Sequence, residues 1–292
     1  MTRLPLILSV VALLAVIAVM LRPGADPAPV PEEPDDAEFE EFAAPGLVEM
    51  PDRFVQADGA TTDAAPVRRI RAGGTDKKIR GRNAFWAEFK WMKEHQAGDG
   101  AWSSEYDSRS SPAVTGLVLL SFLGAGETHK RGNNRKVVKN GLRNLKRIQQ
   151  PDGTFGHPPD ADYAANHAIA TLAMCEAYLA TGSPLFKQSA QQGIDRIAEG
   201  EISRVWEILA LGSAALAKLK VPEDWQKKAI AWLDSVTNPG TGVAIWSAGG
   251  MVPSSAAGQA AAAAFGRILA GEDPKKSEVV KRAMEFAIVS RP

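Results

Sequence analysis

One cysteine, Cys175, stands in 292 residues. A lone thiol excludes an intramolecular disulfide and any zinc site of the CxxC kind, though it leaves the compartment open. Net charge is also missing. Lys plus Arg and Asp plus Glu each total 34, so nothing in the bulk charge supplies the basic face that nucleic acid needs. Strand signals are lacking, because the β-branched residues occur singly within helical patterns. No GxSxG elbow and no phosphate-cradling glycine loop occurs. Apolar side chains, by contrast, are plentiful. Hydrophobic residues make up 45% and charged residues 23%, the composition of a globular protein with a buried core. The length allows one large domain or two small ones.

The chain opens with an apolar run. After Arg3, the eighteen residues Leu4–Leu21 carry no charge and one local breaker, Pro5, just enough to span a bilayer as a helix. Arg22-Pro23 follows in place of a small-x-small cleavage site, which favours an uncleaved anchor over a cleaved signal peptide. The residues before the span are basic and those after it acidic, so the body is expected outside the cell membrane as the C-terminal part of a single-pass protein. A secreted or periplasmic protein is the alternative.

Residues 23–52 hold seven prolines, and Asp26–Glu41 holds eight acids and no base. Such a stretch cannot bury enough apolar surface to offset its ordering entropy, and is expected to be a disordered tether. Residues 68–82 then carry seven bases against one Asp, a solvated approach to the first helix or a contact for lipid headgroups or for the acidic stretch. Three parts result: an anchor or signal over 1–22, a linker over 23–82, and a globular domain over 83–292.

Within that domain two kinds of helical segment alternate. GLRNLKRI, QQGIDRIAE and QKKAIAWLDSV are amphipathic, with Leu142, Leu145 and Ile148 on one stripe of the first. PAVTGLVLLSFL, ANHAIATLAMCEAYLA, VWEILALGSAALAKL and AAGQAAAAAFGRIL are apolar nearly all round, so protein must surround them. Outer amphipathic helices alternating with inner buried ones describe an α/α barrel.

Between an outer helix and the next inner one, a turn recurs. HQAGDGAW and QQPDGTF each read Gln, three residues, Gly, one residue, aromatic: Gln96, Gly100 and Trp102, then Gln149, Gly153 and Phe155. Asp-Gly supplies tight-turn chemistry, with Gly taking a positive φ. The Gln can bond exposed backbone groups at a helix end, and the ring can cover the turn. These roles are structural. The turn needs no substrate to explain it.

Such turns in α/α hairpins resemble the QW repeats of the squalene-hopene cyclase and protein prenyltransferase superfamily. More closely, FWAEFKWMKEHQAGDGAW, VTGLVLLSFLGAGETHKRG, VVKNGLRNLKRIQQPDGTFG, NHAIATLAMCEAYLATGSP and KKAIAWLDSVTNPGTG resemble the exported or membrane-anchored prenyltransferase and squalene oxidase repeat proteins of planctomycete-type bacteria. The resemblance covers roughly residues 83–275 and implies an all-α fold, an α/α toroid. It implies little about chemistry.

The sequence departs from that family where chemistry would sit. There is no DxDD acid; Asp160 and Asp162 in PPDADYA form a DxD without the further acid. The zinc ligands of prenyltransferases are not matched, since His167 and Cys175 stand eight residues apart on one helix, about 12 Å along its axis. His157, His167 and Asp162 could ligate a metal only by folding the loop back, so no metal and no cofactor is expected. His95 and His129 have local explanations, in the first turn and in the GETHKRG loop. A third turn, due near position 202, is replaced by RIAEGEISRVW, and the fourth, TNPGTG, lacks its Gln. The last amphipathic segment, SEVVKRAMEFAIV, places Val279, Val280, Ala283 and Phe286 inward without a following buried partner, so the toroid is expected to be incomplete.

The reading is a membrane-tethered, non-catalytic scaffold or binding module, which binds a protein partner, a second copy at the open edge, or an apolar ligand. The alternative is an enzyme acting on an isoprenoid or another lipid, with Asp160, Asp162, Tyr163 and His167 at the mouth of the second inner helix. A glycan-binding surface ranks last, because Trp86, Trp91, Trp102, Trp206, Trp225, Trp232 and Trp246 fall mostly at helix-core spacing.

Overall fold

The computed structural model describes residues 88–103, 111–160, 162–246 and 255–290. Among them every regular element is a helix, apart from one isolated bridge between Thr237 and Ala244. The expected span over Leu4–Leu21, the linker 23–82 and the domain start at residue 83 lie outside the described residues. Among those described, no helix is long and apolar enough to cross a membrane.

We number the helices in chain order: α1 (88–94), α2 (Ser111–Gly124), α3 (Arg135–Ile148), α4 (Tyr163–Thr181), α5 (Pro184–Ala198), α6 (Val205–Leu216), α7 (Trp225–Val236), α8 (Ala256–Leu269) and α9 (Glu278–Val289). The even-numbered helices are the apolar ones. They pack in series, α2 on α4, α4 on α6 and α6 on α8. Pro112–Phe122 of α2 and Ala165–Cys175 of α4 are buried without interruption, as a helix with no polar face requires. The odd-numbered helices flank this row and bury one side only. In α3 that side is Val137, Val138, Gly141, Leu142, Asn144 and Leu145.

Glycine sets how closely the layers approach. A Cβ on Gly141 of α3 would stand 2.8 Å from the Trp102 ring and 2.9 Å from Leu119 of α2. Its counterpart on α5, Gly193, would meet the Thr171 hydroxyl of α4 at 2.5 Å.

Helix α6 ends at Leu216, three residues before the apolar pattern does. Lys218 takes a left-handed conformation, φ 59°, and the Leu219 N–H turns back to the Ala214 carbonyl at 2.9 Å. This is the six-to-one closure that stops a helix, here with Lys where Gly is usual.

Candidate functional site

The recurring turn is built the same way twice. In the first, the Gln96 amide donates to the carbonyls of Gly100 and Val137, both at 3.0 Å. In the second, the Gln149 amide donates to Gly153 at 3.0 Å and to Ser189 at 2.9 Å. Each glutamine thus closes its own turn and reaches a carbonyl on the next outer helix. Its carbonyl oxygen in the second turn accepts from the Ser189 hydroxyl. Asp99 and Asp152 accept from the N–H groups of Ala101 and Thr154, both at 3.0 Å. Gly100 and Gly153 share φ 87°. A Cβ on either would lie 2.3–2.4 Å from the carbonyl oxygen of Asn140 or Gln192 on that next helix.

The rings complete the turn. Trp102 and Phe155 are 2% and 0% exposed. The Trp102 indole donates to the Met92 carbonyl at 2.7 Å, and its backbone N–H to the Thr115 hydroxyl at 2.9 Å. At Phe155 the equivalent acceptor is the ring of His167. The Phe155 N–H reaches Nδ1 at 3.1 Å, and Nε2 lies 3.1 Å from the Gly193 carbonyl. A carbonyl accepts only from an N–H, so Nε2 carries the proton and Nδ1 the lone pair. His167 is a neutral pin between turn, inner helix and outer helix, and burial holds its pKa down at about 4.

Of the other sequence-derived candidates, Tyr163 touches that pin and Asp160 does not. Asp160 and His157 rim an open depression of about 470 Å³, lined also by Pro112, Ile148, Gln150, Gly156 and Pro158, with His157 Nδ1 3.8 Å from Asp160 Oδ1. Asp162 precedes α4 as its N-cap residue and makes no side-chain cap bond. The Tyr163 ring stacks on His167, 18° from parallel with centroids 5.9 Å apart. Tyr163 and His167 are therefore joined to each other and to α5, while Asp160 opens onto a separate surface. Among the described residues no three His, Cys, Asp or Glu side chains gather in a way that could hold a metal ion.

One group escapes a reading by motif. Glu176 is the one acid within the apolar α4, and Leu172, Glu176 and Leu179 fall on one face at helical spacing. Leu209, Ser213 and Leu216 form the matching series on α6, which packs against α4. Removal from water raises the Glu176 carboxyl above the usual carboxylate range. The nearby Ser213 hydroxyl lowers it again, although that oxygen is buried without a hydrogen bond of good geometry. The signal was present in ANHAIATLAMCEAYLA as a single Glu in an otherwise apolar helix. Only the neighbouring helix shows what it faces.

Of the tryptophans, Trp102, Trp206, Trp225 and Trp246 are buried and Trp91 and Trp232 are partly buried. Among the described residues they form no exposed row for a glycan. No protein-family model, curated protein or solved structure matches the chain.

Proposed function

We propose that this protein is a membrane-tethered α/α toroid of the squalene cyclase and prenyltransferase repeat type, acting as a scaffold that binds a protein partner. The observation that carries the reading is the use made of the polar groups in the repeated turns. Gln96, Gln149 and His167 spend their side-chain donors on joining one hairpin to the next, which leaves them no part in a reaction. The partner's place is the α8–α9 edge. There Ile268, Met284 and Phe286 are only partly buried around four small residues, Ala260, Ala264, Val280 and Ala283, and Ile288 is 51% exposed. A surface of that kind favours association.

Sedimentation velocity of the full chain tests this. A second copy on the edge gives a dimer that Ile288→Asp together with Met284→Asp dissociates, with helix content unchanged. A monomer that captures no partner by cross-linking from labels at those two positions would sink the reading.

The Glu176 carboxyl favours a second reading, an enzyme acting on an isoprenoid or another lipid, because burial pushes it above the usual carboxylate range and an acid shifted that way is a better-matched proton donor near neutral pH. Product analysis with a polyprenyl substrate separates the two. Turnover lost in Glu176→Gln, with the substrate still bound, would establish the enzyme.

A further inference from the structure

The outer helix α3 carries a charge pattern that neither reading uses. From Thr128 to Ile148 the chain has eight bases and no acid. At about 100° per residue, Arg135, Lys136, Lys139, Arg143, Lys146 and Arg147 fall within an arc of roughly 120°. The buried side chains of α3 occupy the opposite arc, so all six bases line one face of a helix about 21 Å long. Lys130 and Arg131, both exposed, extend this face beyond its N-terminal end. Among the described residues, few acids answer it. Asp99 meets Arg147 at 2.9 Å, and Glu127 is buried with its Oε2 taken by the Asn134 N–H at 2.7 Å. Lys136, Lys139 and Arg143 hold contacts of their own, and what marks the face is its net charge rather than idle side chains.

We propose that the occupant of this face is the chain's own acidic segment, Asp26–Glu41. The charges match, eight acids and no base against eight bases and no acid, in a chain whose total is zero. The reach matches as well. Glu41 precedes residue 88 by 47 positions, and a random coil of 47 residues has an r.m.s. span of roughly 34–41 Å. That is comparable to the width of a domain of about 200 residues, whose radius of gyration is near 16 Å. Covalent attachment sets an effective concentration on the order of millimolar. The bases at 68–82 are nearer in sequence and compete. Helix α3, however, holds its bases in fixed register, so only one partner loses conformational freedom on docking. The consequence is a tether that lies on the domain and screens its basic face from other polyanions, an anionic bilayer among them.

Energy transfer between dyes on Glu38→Cys and Asn133→Cys tests the contact in the full chain. Cys175 stays unlabelled because it is fully buried. In phosphatidylcholine vesicles, strong transfer is expected at about 0.1 M salt and a severalfold loss at about 1 M, where the Debye length falls from about 10 Å to about 3 Å. Arg131→Glu, Arg135→Glu and Lys146→Glu together should abolish the transfer while thermal unfolding is retained. Should that variant fail to fold, replacing the eight tether acids with Asn or Gln makes the same test without touching the domain. Gln in place of the bases at 68–82 should leave transfer intact. Transfer that survives the α3 variant, or that disappears only with the bases at 68–82, overturns the proposal. So does its loss when the vesicles are made rich in phosphatidylglycerol at low salt, which would assign the face to lipid.

Discussion

Gln149 shows at the scale of one residue why the repeated turn has the residues it has. Its amide and carbonyl span two hairpins, bonding Gly153 and Ser189. Gln149→Ala should leave two carbonyls without donors and cost about 2–3 kcal/mol in urea unfolding. His167 does the same work with a titratable group, and the sign of its pH dependence follows. Its folded pKa lies at about 4, below the ordinary value of 6.5, so the unfolded chain takes up the proton first. Its stabilisation is complete above pH 6.5 and is lost as pH falls toward 4, on the order of 3 kcal/mol at about 1.4 kcal/mol per pKa unit. His129, lowered to about 4 chiefly by burial with Lys130 and Lys139 adding, acts in the same direction. Imidazole nitrogen spectra at pH 5.5, inside that window, should show His167 neutral with the proton on Nε2. A protonated ring there would refute the pin.

At the scale of an element, the turns differ in what a glycine must provide. Gly153 and Gly182 both have positive φ, 87° and 61°, but only Gly153 has a neighbour inside contact distance. Gly182→Ala should cost about 1 kcal/mol from backbone strain alone. Gly153→Ala adds a clash with the Gln192 carbonyl and should cost at least about twice that; equal losses would show that the helices are free to move apart. The fourth turn closes with the same pair of backbone bonds one residue wider, the Asn238 N–H on Val243 at 2.9 Å and the Gly242 N–H on Asn238 at 2.8 Å. Thr237 stands where the glutamine would be, and its hydroxyl is buried without a partner. Thr237→Val, which removes that hydroxyl at constant shape, should raise stability by about 1 kcal/mol. The third junction has no such turn. The Glu207 carboxylate caps α6 instead, accepting from Ser203 at 2.8 Å and Arg204 at 3.1 Å.

Across the whole molecule the packing is uneven. One large cluster runs from Phe89 to Ala270, and a second of four small residues joins α8 to α9. Helix stability in proteins comes mostly from buried apolar area, and alanines and one valine bury little. The α8–α9 hairpin should therefore open locally, well before the global transition. Hydrogen exchange is expected to show α9 amides exchanging at least about tenfold faster than those of α4, a gap of about 1.4 kcal/mol; equal protection would mean that something else covers the edge.

Much of this was legible without coordinates, because the periodicities are local. Unbroken apolar runs marked α2, α4, α6 and α8, and the Gln, Gly and aromatic spacing marked two turns, since each signal is written within one or two helical turns of chain. The absence of strands among the described residues followed in the same way. What the sequence could not carry is which groups meet. His167 stood among the catalytic candidates until its two nitrogens were found on Phe155 and Gly193, 12 and 26 residues away. Glu176 passed unremarked until α6 placed Ser213 beside it. A side chain's chemistry depends on its partners and its distance from water, and both are set by segments far off in sequence. The chain by itself determined the helices and their turns; only the tertiary structure decided that His167 joins Phe155 to Gly193.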